Sequence, residues 1–202
     1  MAMSPSIAIL AKAPIPGYAK TRLIPAIGMH AAAVLQTRLT EHAVQTALAA
    51  GLGPVTLWCA PDTRHGSFRD LAADLPIALK QQVDGDLGAR MWTALRAGGL
   101  LIGSDCPAFT PAHLRAAAAV LDEADVVLTP AEDGGYVLIG ARTPHPGLFS
   151  DMVWGTPTVL AETRKRIAAL NLRAVELGPL WDVDTEADLA RLEREFSELA
   201  LL

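Results

Sequence analysis

The stretch that most constrains the fold runs from Leu101 to Ala108 and reads LIGSDCPA. Two aliphatic residues lead into Gly103, Ser104 and the lone carboxylate of Asp105, and Pro107 prevents the strand from continuing. This pattern is typical of the carboxyl end of a buried parallel strand, the edge at which open α/β sheets bind ligands. Asp105 could hold Mg²⁺ or Mn²⁺ through its oxygens. It could equally cap a turn, and these residues leave both interpretations open.

The composition is that of one folded domain covering residues 1–202. Hydrophobic residues make up 51% of the chain and charged residues 19%, which is enough apolar material for a core and argues against disorder. The net charge of −5 argues against nucleic-acid binding, which needs a basic surface. No apolar run reaches the ~18 residues of a membrane helix. With two cysteines outside metal-ligand spacing and no signal peptide, we expect a cytoplasmic protein without disulfides.

A basic loop follows the first predicted strand, the unalternating apolar run of residues 6–11. The loop reads KAPIPGYAKTRL, in which two prolines and a glycine exclude regular structure and Lys12, Lys20 and Arg22 supply positive charge. Many α/β folds bind phosphate in a loop at this position. We therefore predict that this loop, including Gly17, binds an anion. The alternative is a solvated basic loop.

A second candidate site lies in the sequence QVDGDLGARM, residues 82–91. Gly85 and Asp86 precede a helix that we expect to continue to about residue 97, with Arg90 in its first turn. Glycine at a helix start lets a ligand approach backbone N–H groups closely, which makes these three residues candidates for substrate binding. Asp86 could equally be the N-cap of an amphipathic helix and nothing more.

An acidic turn, AEDGG, separates two further predicted strands. Its residues Glu132, Asp133 and Gly134 stand at a strand end, where carboxylates can bind a metal or substrate hydroxyl groups. The same residues suit a simple hairpin turn, and both interpretations remain open.

The last motif, WDVDTEADL, begins at Trp181 and contains Asp182 and Asp184. Thr185 and Asp188 resemble a capping box, which gives them a structural role but leaves the two earlier aspartates unexplained. Trp154, which follows a loop broken by proline, is a further candidate for substrate binding.

Hydrophobic periodicity and turn residues predict an alternation of strands and helices typical of an α/β protein. Besides the strands already named, we expect strands at 55–60, 77–79, 125–130, 136–140 and 173–177. We expect helices at 29–50, 62–75, 110–123 and 158–170, and a charged tail helix that runs to Leu202.

Taken in order, these motifs resemble one bacterial family of uncharacterised proteins with the GT-A, or nucleotide-diphospho-sugar transferase, fold. The motifs are KAPIPGYAKTRL, GDLGARM, GSDCP, PAEDGGY and WDVDTEADL, and the resemblance runs from Ile7 to about Leu189. Better understood relatives are 2-phospho-L-lactate guanylyltransferase and molybdenum cofactor guanylyltransferase. The resemblance implies a three-layer α/β/α sandwich around a mainly parallel, mixed sheet.

The resemblance also implies roles for particular residues. It places Lys20 and Arg22 over the nucleotide phosphates, makes Asp105 the metal aspartate, and points to Asp184, then Asp182, as its partner. This chain departs from the family in two places. Its first loop is proline-rich instead of glycine-rich, and the segment from 90 to 103 is short.

Residues and resemblance together favour a transferase that uses Mg²⁺ or Mn²⁺ and binds a nucleotide and a small-molecule acceptor. Nucleotidyl transfer to a phosphorylated acceptor is the first hypothesis. A glycosyltransferase is the second, although such enzymes usually carry a D-x-D motif where this chain has Asp105, Cys106 and Pro107. A non-catalytic nucleotide-binding module is the third.

Overall fold

Seven strands form one sheet in the computed structural model, which describes residues 5–201. The strands are β1 (Ile7–Lys12), β2 (Val55–Ala60), β3 (Ile77–Gln81), β4 (Gly99–Gly103), β5 (Val126–Pro130), β6 (Tyr136–Ala141) and β7 (Ala174–Glu176). Their order is β3-β2-β1-β4-β6-β5-β7. β6 runs antiparallel to both of its neighbours, and every other neighbouring pair is parallel. The sheet is therefore mixed but mainly parallel, as predicted.

Six α-helices accompany the sheet within the described residues. They are α1 (Ile24–Ala49), α2 (Gly66–Asp74), α3 (Leu87–Leu95), α4 (Pro111–Val120), α5 (Val159–Ala169) and α6 (Glu186–Glu195). Helical hydrogen bonding in α1 starts before the predicted residue 29, but Gly28 interrupts it with φ 78° and ψ 161°. None of the described helices has the length and apolarity that crossing a membrane requires.

The predicted tail helix is too long. Helix α6 ends at Glu195, because Phe196 leaves helical geometry with φ −142° and ψ 57° while its N–H still bonds the Leu192 carbonyl. Leu202, the predicted end, lies outside the described residues.

The sheet is covered on both faces, which explains why the first strand shows no alternation of apolar and polar residues. Ile7 and Ile9 pack into a core cluster with residues of α1, α2 and α4, whereas Ala8 packs into a second cluster with residues of α3 and α5. Successive residues of a strand point to opposite faces. The molecule is therefore the predicted three-layer α/β/α sandwich.

A third cluster, which we call the tail cluster, joins the C-terminal segment to α1. It consists of Leu23, Leu35, Leu39, Trp181, Val183, Leu192 and Leu199. Burial of this cluster brings the segment around residue 183 to the carboxyl end of β4, where the Val183 N–H donates to the Asp105 carbonyl at 3.0 Å. Two motifs almost eighty residues apart thus meet.

Candidate functional site

A cavity of about 470 Å³ opens at the carboxyl ends of β1 and β4, the edge predicted from the sequence. The first loop, α3, the start of β6 and the tail segment complete its walls. Eight predicted site residues line it, namely Lys12, Lys20, Arg22, Arg90, Ser104, Asp105, Asp182 and Asp184.

Asp105 stands at the cavity because β4 ends two residues earlier. Gly103 leaves room for it, since a Cβ on that glycine would lie 2.6 Å from Asp105 Oδ1. The Lys20 ammonium lies 3.3 Å from Asp105 Oδ2 and donates to the Val183 carbonyl at 2.6 Å. Only 5% of the Lys20 side chain is exposed, so this nearly buried cation joins the first loop, β4 and the tail at the cavity wall.

The two tail aspartates reach the cavity through strand-like alternation. Trp181 and Val183 are buried in the tail cluster. Because side chains alternate along an extended segment, Asp182 and Asp184 point away from that cluster and into the cavity. The capping box ends the segment, because the Asp188 carboxylate accepts the Thr185 N–H at 2.6 Å.

An ion pair crosses the cavity mouth from the first loop to the tail. Arg22 donates to the Asp184 carboxylate, and both side chains are partly exposed. The cations and carboxylates of the two motifs therefore neutralise one another in part, which leaves Asp182 without a charged partner of its own among residues 5–201.

Asp182 carries the clearest electrostatic signature of the site. The pKa of Asp182 is raised to about 7, and burial is the largest cause. The nearby charges of Asp105, Asp133 and Asp184 contribute to the same increase, and only Lys20 opposes them. An additional cation would stabilise the ionised form of carboxylates that lie this close together.

The donor set suits a hard divalent cation. No three histidine, cysteine or carboxylate side chains form a ready metal cluster in the part of the chain that the structure describes. Mg²⁺ is usually bound by one or two carboxylates together with substrate phosphates and water. Asp105 with Asp182 or Asp184 fits that pattern, since all their donors are oxygens and Asp182 carries excess negative surroundings.

Cys106 is poorly suited to act as a nucleophile. The thiol is buried and free, and burial raises its pKa, an effect that the charge of Asp105 increases. A nucleophilic cysteine needs the opposite shift.

Arg90 lies on the α3 wall of the cavity. Its Nε is buried and has no hydrogen-bond partner in the described structure. Asp86 caps α3 by accepting the Ala89 N–H at 2.8 Å, so that carboxylate has the structural role weighed from the sequence. A guanidinium on a cavity wall is suited to an anionic ligand.

The structure places the other predicted residues outside the cavity lining. They are Gly17, Gly85, Asp86, Glu132, Asp133, Gly134 and Trp154. Glu132 pairs with Arg191 at 2.9 Å, and Asp133 accepts the Gly135 N–H at 2.8 Å. Trp154 packs against Gly88, where a Cβ would lie 3.0 Å from the indole Nε1.

Two buried glutamines also line the cavity. The sequence patterns did not identify either of them as a site residue. The Gln36 amide donates to Ser104 Oγ at 3.0 Å. The Gln82 amide donates to the carbonyls of Ala11 and Trp58 at 3.1 and 2.8 Å. A signal was present in each case, because Gln36 interrupts an apolar helix face and Gln82 follows a strand at its carboxyl end.

Comparison with known families gives one match. The profile of a bacterial family, described as "Uncharacterized protein conserved in bacteria (DUF2064)", matches residues 43–156, more than half of the chain. No curated protein matches the sequence.

Several solved structures share the fold. A candidate nucleotide-diphospho-sugar transferase from Desulfovibrio desulfuricans G20 is 29% identical, with a TM-score of 0.84 over 96% of this chain and 90% of that one. A nucleotidyl transferase from Methanothermobacter is 17% identical, with a TM-score of 0.63 over 96% and 98%. Rv0371C from Mycobacterium tuberculosis H37Rv, solved as a complex with manganese, is 19% identical, with a TM-score of 0.54 over 95% and 100%. The predicted GT-A-like fold is confirmed.

Proposed function

The chain belongs to the bacterial protein family DUF2064, and we propose that it is a metal-dependent transferase. The reaction that we infer is transfer of a nucleotidyl group from a nucleoside triphosphate to a small phosphorylated acceptor. One observation carries the proposal, namely the split acidic site in which Asp105 from β4 meets Asp182 and Asp184 from the tail beside the cations of the first loop.

Such a reaction needs positioning and charge stabilisation more than a covalent nucleophile. The acceptor phosphate attacks the α-phosphorus in line, and pyrophosphate leaves. Lys20 and Arg22 stabilise the negative charge on the phosphoryl oxygens, Lys20 through its field and Arg22 by direct contact. Lys20 also holds the Asp105 carboxylate and the tail together. Bound Mg²⁺ or Mn²⁺ supplies a Lewis acid at the same carboxylates.

Arg90 is the residue that we propose for the acceptor. Arg90 lines the α3 wall of the cavity, and the terminal N–H groups of its guanidinium suit a phosphate oxygen. Ser104 and Lys12 line the same cavity and add polar contacts to the nucleotide. The acidic turn residues Glu132 and Asp133 lie outside the cavity lining and are not among the substrate contacts that we propose.

A glycosyltransferase is the second candidate. The resemblance to the Desulfovibrio desulfuricans protein, a candidate nucleotide-diphospho-sugar transferase at 29% identity, favours it. The absence of a second carboxylate after Asp105 favours nucleotidyl transfer, because Cys106 and Pro107 occupy the positions in which metal-dependent glycosyltransferases usually carry one.

A thermal-stability screen distinguishes these functions. Nucleoside triphosphates and nucleotide-sugars are each added with MgCl₂, with MnCl₂ or with a chelator, and the shift in Tm is measured. A ligand at ~100 times its Kd should stabilise the fold by about 2.7 kcal/mol. We expect triphosphates to stabilise the protein only when a metal is present, and pyrophosphate release once an acceptor is found.

Two variants make the screen specific. Asp105→Ala should abolish the metal-dependent shift, whereas Glu132→Gln, outside the cavity, should retain it. Stabilisation by nucleotide-sugars alone would reverse the order of the two candidates. A metal-dependent shift that survives Asp105→Ala would contradict the proposed metal site.

A further inference from the structure

A chain of buried hydrogen bonds runs from helix α1 to the cavity wall through Thr40, Gln36 and Ser104. We propose that Gln36 is a positioning residue, which makes the Ser104 hydroxyl donate its proton to a phosphate oxygen of the bound nucleotide. This inference rests on the proposed function, because that function supplies the phosphate.

The direction of the chain is set at its buried end. The Thr40 hydroxyl lies 2.8 Å from the main-chain carbonyl oxygen of Gln36, and it donates there because a carbonyl oxygen can only accept. A hydroxyl group has one proton, so Thr40 Oγ1 can only accept from its second neighbour, the side-chain amide of Gln36 at 3.0 Å. The amide atom that faces Thr40 is therefore the nitrogen, Nε2.

The amide nitrogen passes this direction on to Ser104. Gln36 Nε2 carries two protons, and its second neighbour is Ser104 Oγ, also at 3.0 Å. Ser104 Oγ accepts from the amide, so its own proton is not used in that contact. Among residues 5–201 this is the only side-chain hydrogen bond of Ser104, and its proton remains available to a ligand in the cavity that Ser104 lines.

Burial fixes the orientation of the chain. Thr40, Gln36 and Ser104 are only 3%, 4% and 6% exposed, so water does not readily replace one partner by another. A Gln36 amide that turned over would place its oxygen against Thr40 Oγ1, whose proton is already used, and an unpaired buried contact costs free energy. Ser104 therefore faces the cavity as a donor and not as an acceptor.

A fixed donor at this place suits an anion. Ser104 directly precedes Asp105, the carboxylate that pairs with Lys20, so it belongs to the charged part of the cavity. Phosphate oxygens are strong acceptors, and a hydrogen bond to a charged group is stronger than one between neutral groups. Because the hydroxyl is oriented before the ligand arrives, binding does not have to pay for that ordering.

Removal of the donor is the first test. Calorimetry measures the binding of inorganic tripolyphosphate and of nucleoside triphosphates, with MgCl₂, to the wild type and to Ser104→Ala. We expect both kinds of ligand to bind about tenfold more weakly to Ser104→Ala, because the lost hydrogen bond is one to a charged group. Equal binding would overturn the inference. If none of these ligands binds to the wild type, the proposed function fails and the inference falls with it.

Thr40→Val tests the chain at a residue outside the cavity lining. Without the Thr40 hydroxyl the Gln36 amide is free to turn over, and Ser104 then donates to the amide oxygen instead of the ligand. We expect tripolyphosphate to bind several-fold more weakly to Thr40→Val, whereas Thr40→Ser, which keeps the hydroxyl, should bind it as the wild type does. Thr46→Val is the matched control, because Thr46 is also a buried threonine of α1 outside the cavity lining.

A double-mutant cycle separates positioning from a general loosening of the fold. In the Gln36→Met background, Ser104→Ala should weaken tripolyphosphate binding far less than it does in the wild type. In the background of Gln45→Met, which changes an exposed glutamine of the same helix, Ser104→Ala should have its full effect. An equal effect of Ser104→Ala in the wild type and in Gln36→Met would contradict the positioning role.

A measurement on the wild type needs no variant to fold. Because both Nε2 protons of Gln36 are hydrogen-bonded in a buried place, NMR should show two separate side-chain amide signals that exchange slowly with solvent. The exposed amide of Gln45 should exchange rapidly and serves as the internal reference. Equally rapid exchange of the two amides would overturn the inference.

Discussion

Two acidic pairs of similar sequence have different surroundings in this molecule. Glu132 and Asp133 follow β5 in a tight turn. Both carboxylates have partners within the chain, because Arg191 of α6 donates to Glu132 and the Gly135 N–H donates to Asp133. Asp182 and Asp184 follow Trp181 in an extended segment and line the cavity. Of these two, Asp184 pairs with the exposed Arg22 and Asp182 has no cation of its own among the described residues.

Acidic residues at a strand end do not form a binding site by themselves. A carboxylate whose partners are supplied by the chain has little to gain from a ligand. A buried carboxylate among other carboxylates gains from any cation that enters, because each unpaired negative charge raises the free energy of the folded state. The comparison predicts different responses of the two pairs to substitution, solvent and ligand.

The largest difference should be in metal-dependent nucleotide binding. Asp182→Asn removes the tail carboxylate that has no ion pair among the described residues and is proposed to hold the metal, and we expect the affinity for a triphosphate with Mg²⁺ to fall by about 100-fold. Glu132→Gln is the same chemical change in the turn and should alter the affinity less than about twofold. Calorimetric titration of both variants measures the difference. A similar loss in both would remove the distinction between the two pairs.

The next largest effect concerns the stability that the acidic turn provides. Gly134 has φ +92°, and a Cβ there would lie 2.3 Å from the Pro157 carbonyl oxygen. Gly134→Ala should therefore lower the free energy of unfolding by about 2 kcal/mol, through backbone strain and overpacking together. Gly17→Ala has similar strain, with φ +84°, but no atom within 4 Å, so we expect about 1 kcal/mol. Urea unfolding measures both, and equal losses would show that the contact with Pro157 is unimportant.

Sequence reasoning reached the sandwich because its signals are local. Apolar runs such as Ser6–Ala11 indicate strands buried on both faces, and Thr110 followed by Pro111 indicates a helix start. The end of α6 was missed because the pattern of charged and apolar residues continues beyond Glu195, whereas the backbone at Phe196 does not stay helical.

Sequence reasoning on the site had a different limit. Asp105 could be placed at a cavity edge because the strand before it is recognisable. The surroundings of Glu132 depend on Arg191, which is 59 residues away, and those of Gln82 depend on two carbonyls from other strands. Contacts of this kind are set by packing, and no local pattern encodes them.

Opposite pH dependences should follow in the metal-free protein. The Arg173 backbone N–H, and then Arg142, hold the pKa of the exposed Asp125 below its ordinary value, so its contribution to stability is present above that value and is lost as the pH falls. Asp182 behaves inversely. Its raised pKa means that its contribution is complete below the ordinary value of 3.8 and is lost as the pH rises towards about 7.

Two neutral variants check these signs. At pH 8, Asp125→Asn should be less stable than the wild type and Asp182→Asn more stable. Near pH 4 the Asp182→Asn difference should shrink, whereas the Asp125→Asn difference should persist, because pH 4 still lies above the ordinary value of 3.8. Urea unfolding at the two pH values, with a chelator present, gives the comparison. If Asp182→Asn is destabilising at pH 8, the Asp182 carboxylate has a stabilising partner beyond the contacts described above.

The smallest expected effect is the coupling free energy of the ion pair between Glu132 of the acidic turn and Arg191. Glu132 and Arg191 lie 2.9 Å apart, but their side chains are 54% and 30% exposed, so solvent screens much of the attraction. A double-mutant cycle with Glu132→Gln and Arg191→Gln should give a coupling of about 0.5 kcal/mol. Arg191→Gln alone should cost more than that coupling, because the guanidinium also lies 4.4 Å from the centre of the Trp181 ring in the tail cluster. A coupling near zero would leave Glu132 without a partner of consequence, and the turn carboxylate would again be available to a substrate, as the sequence allowed.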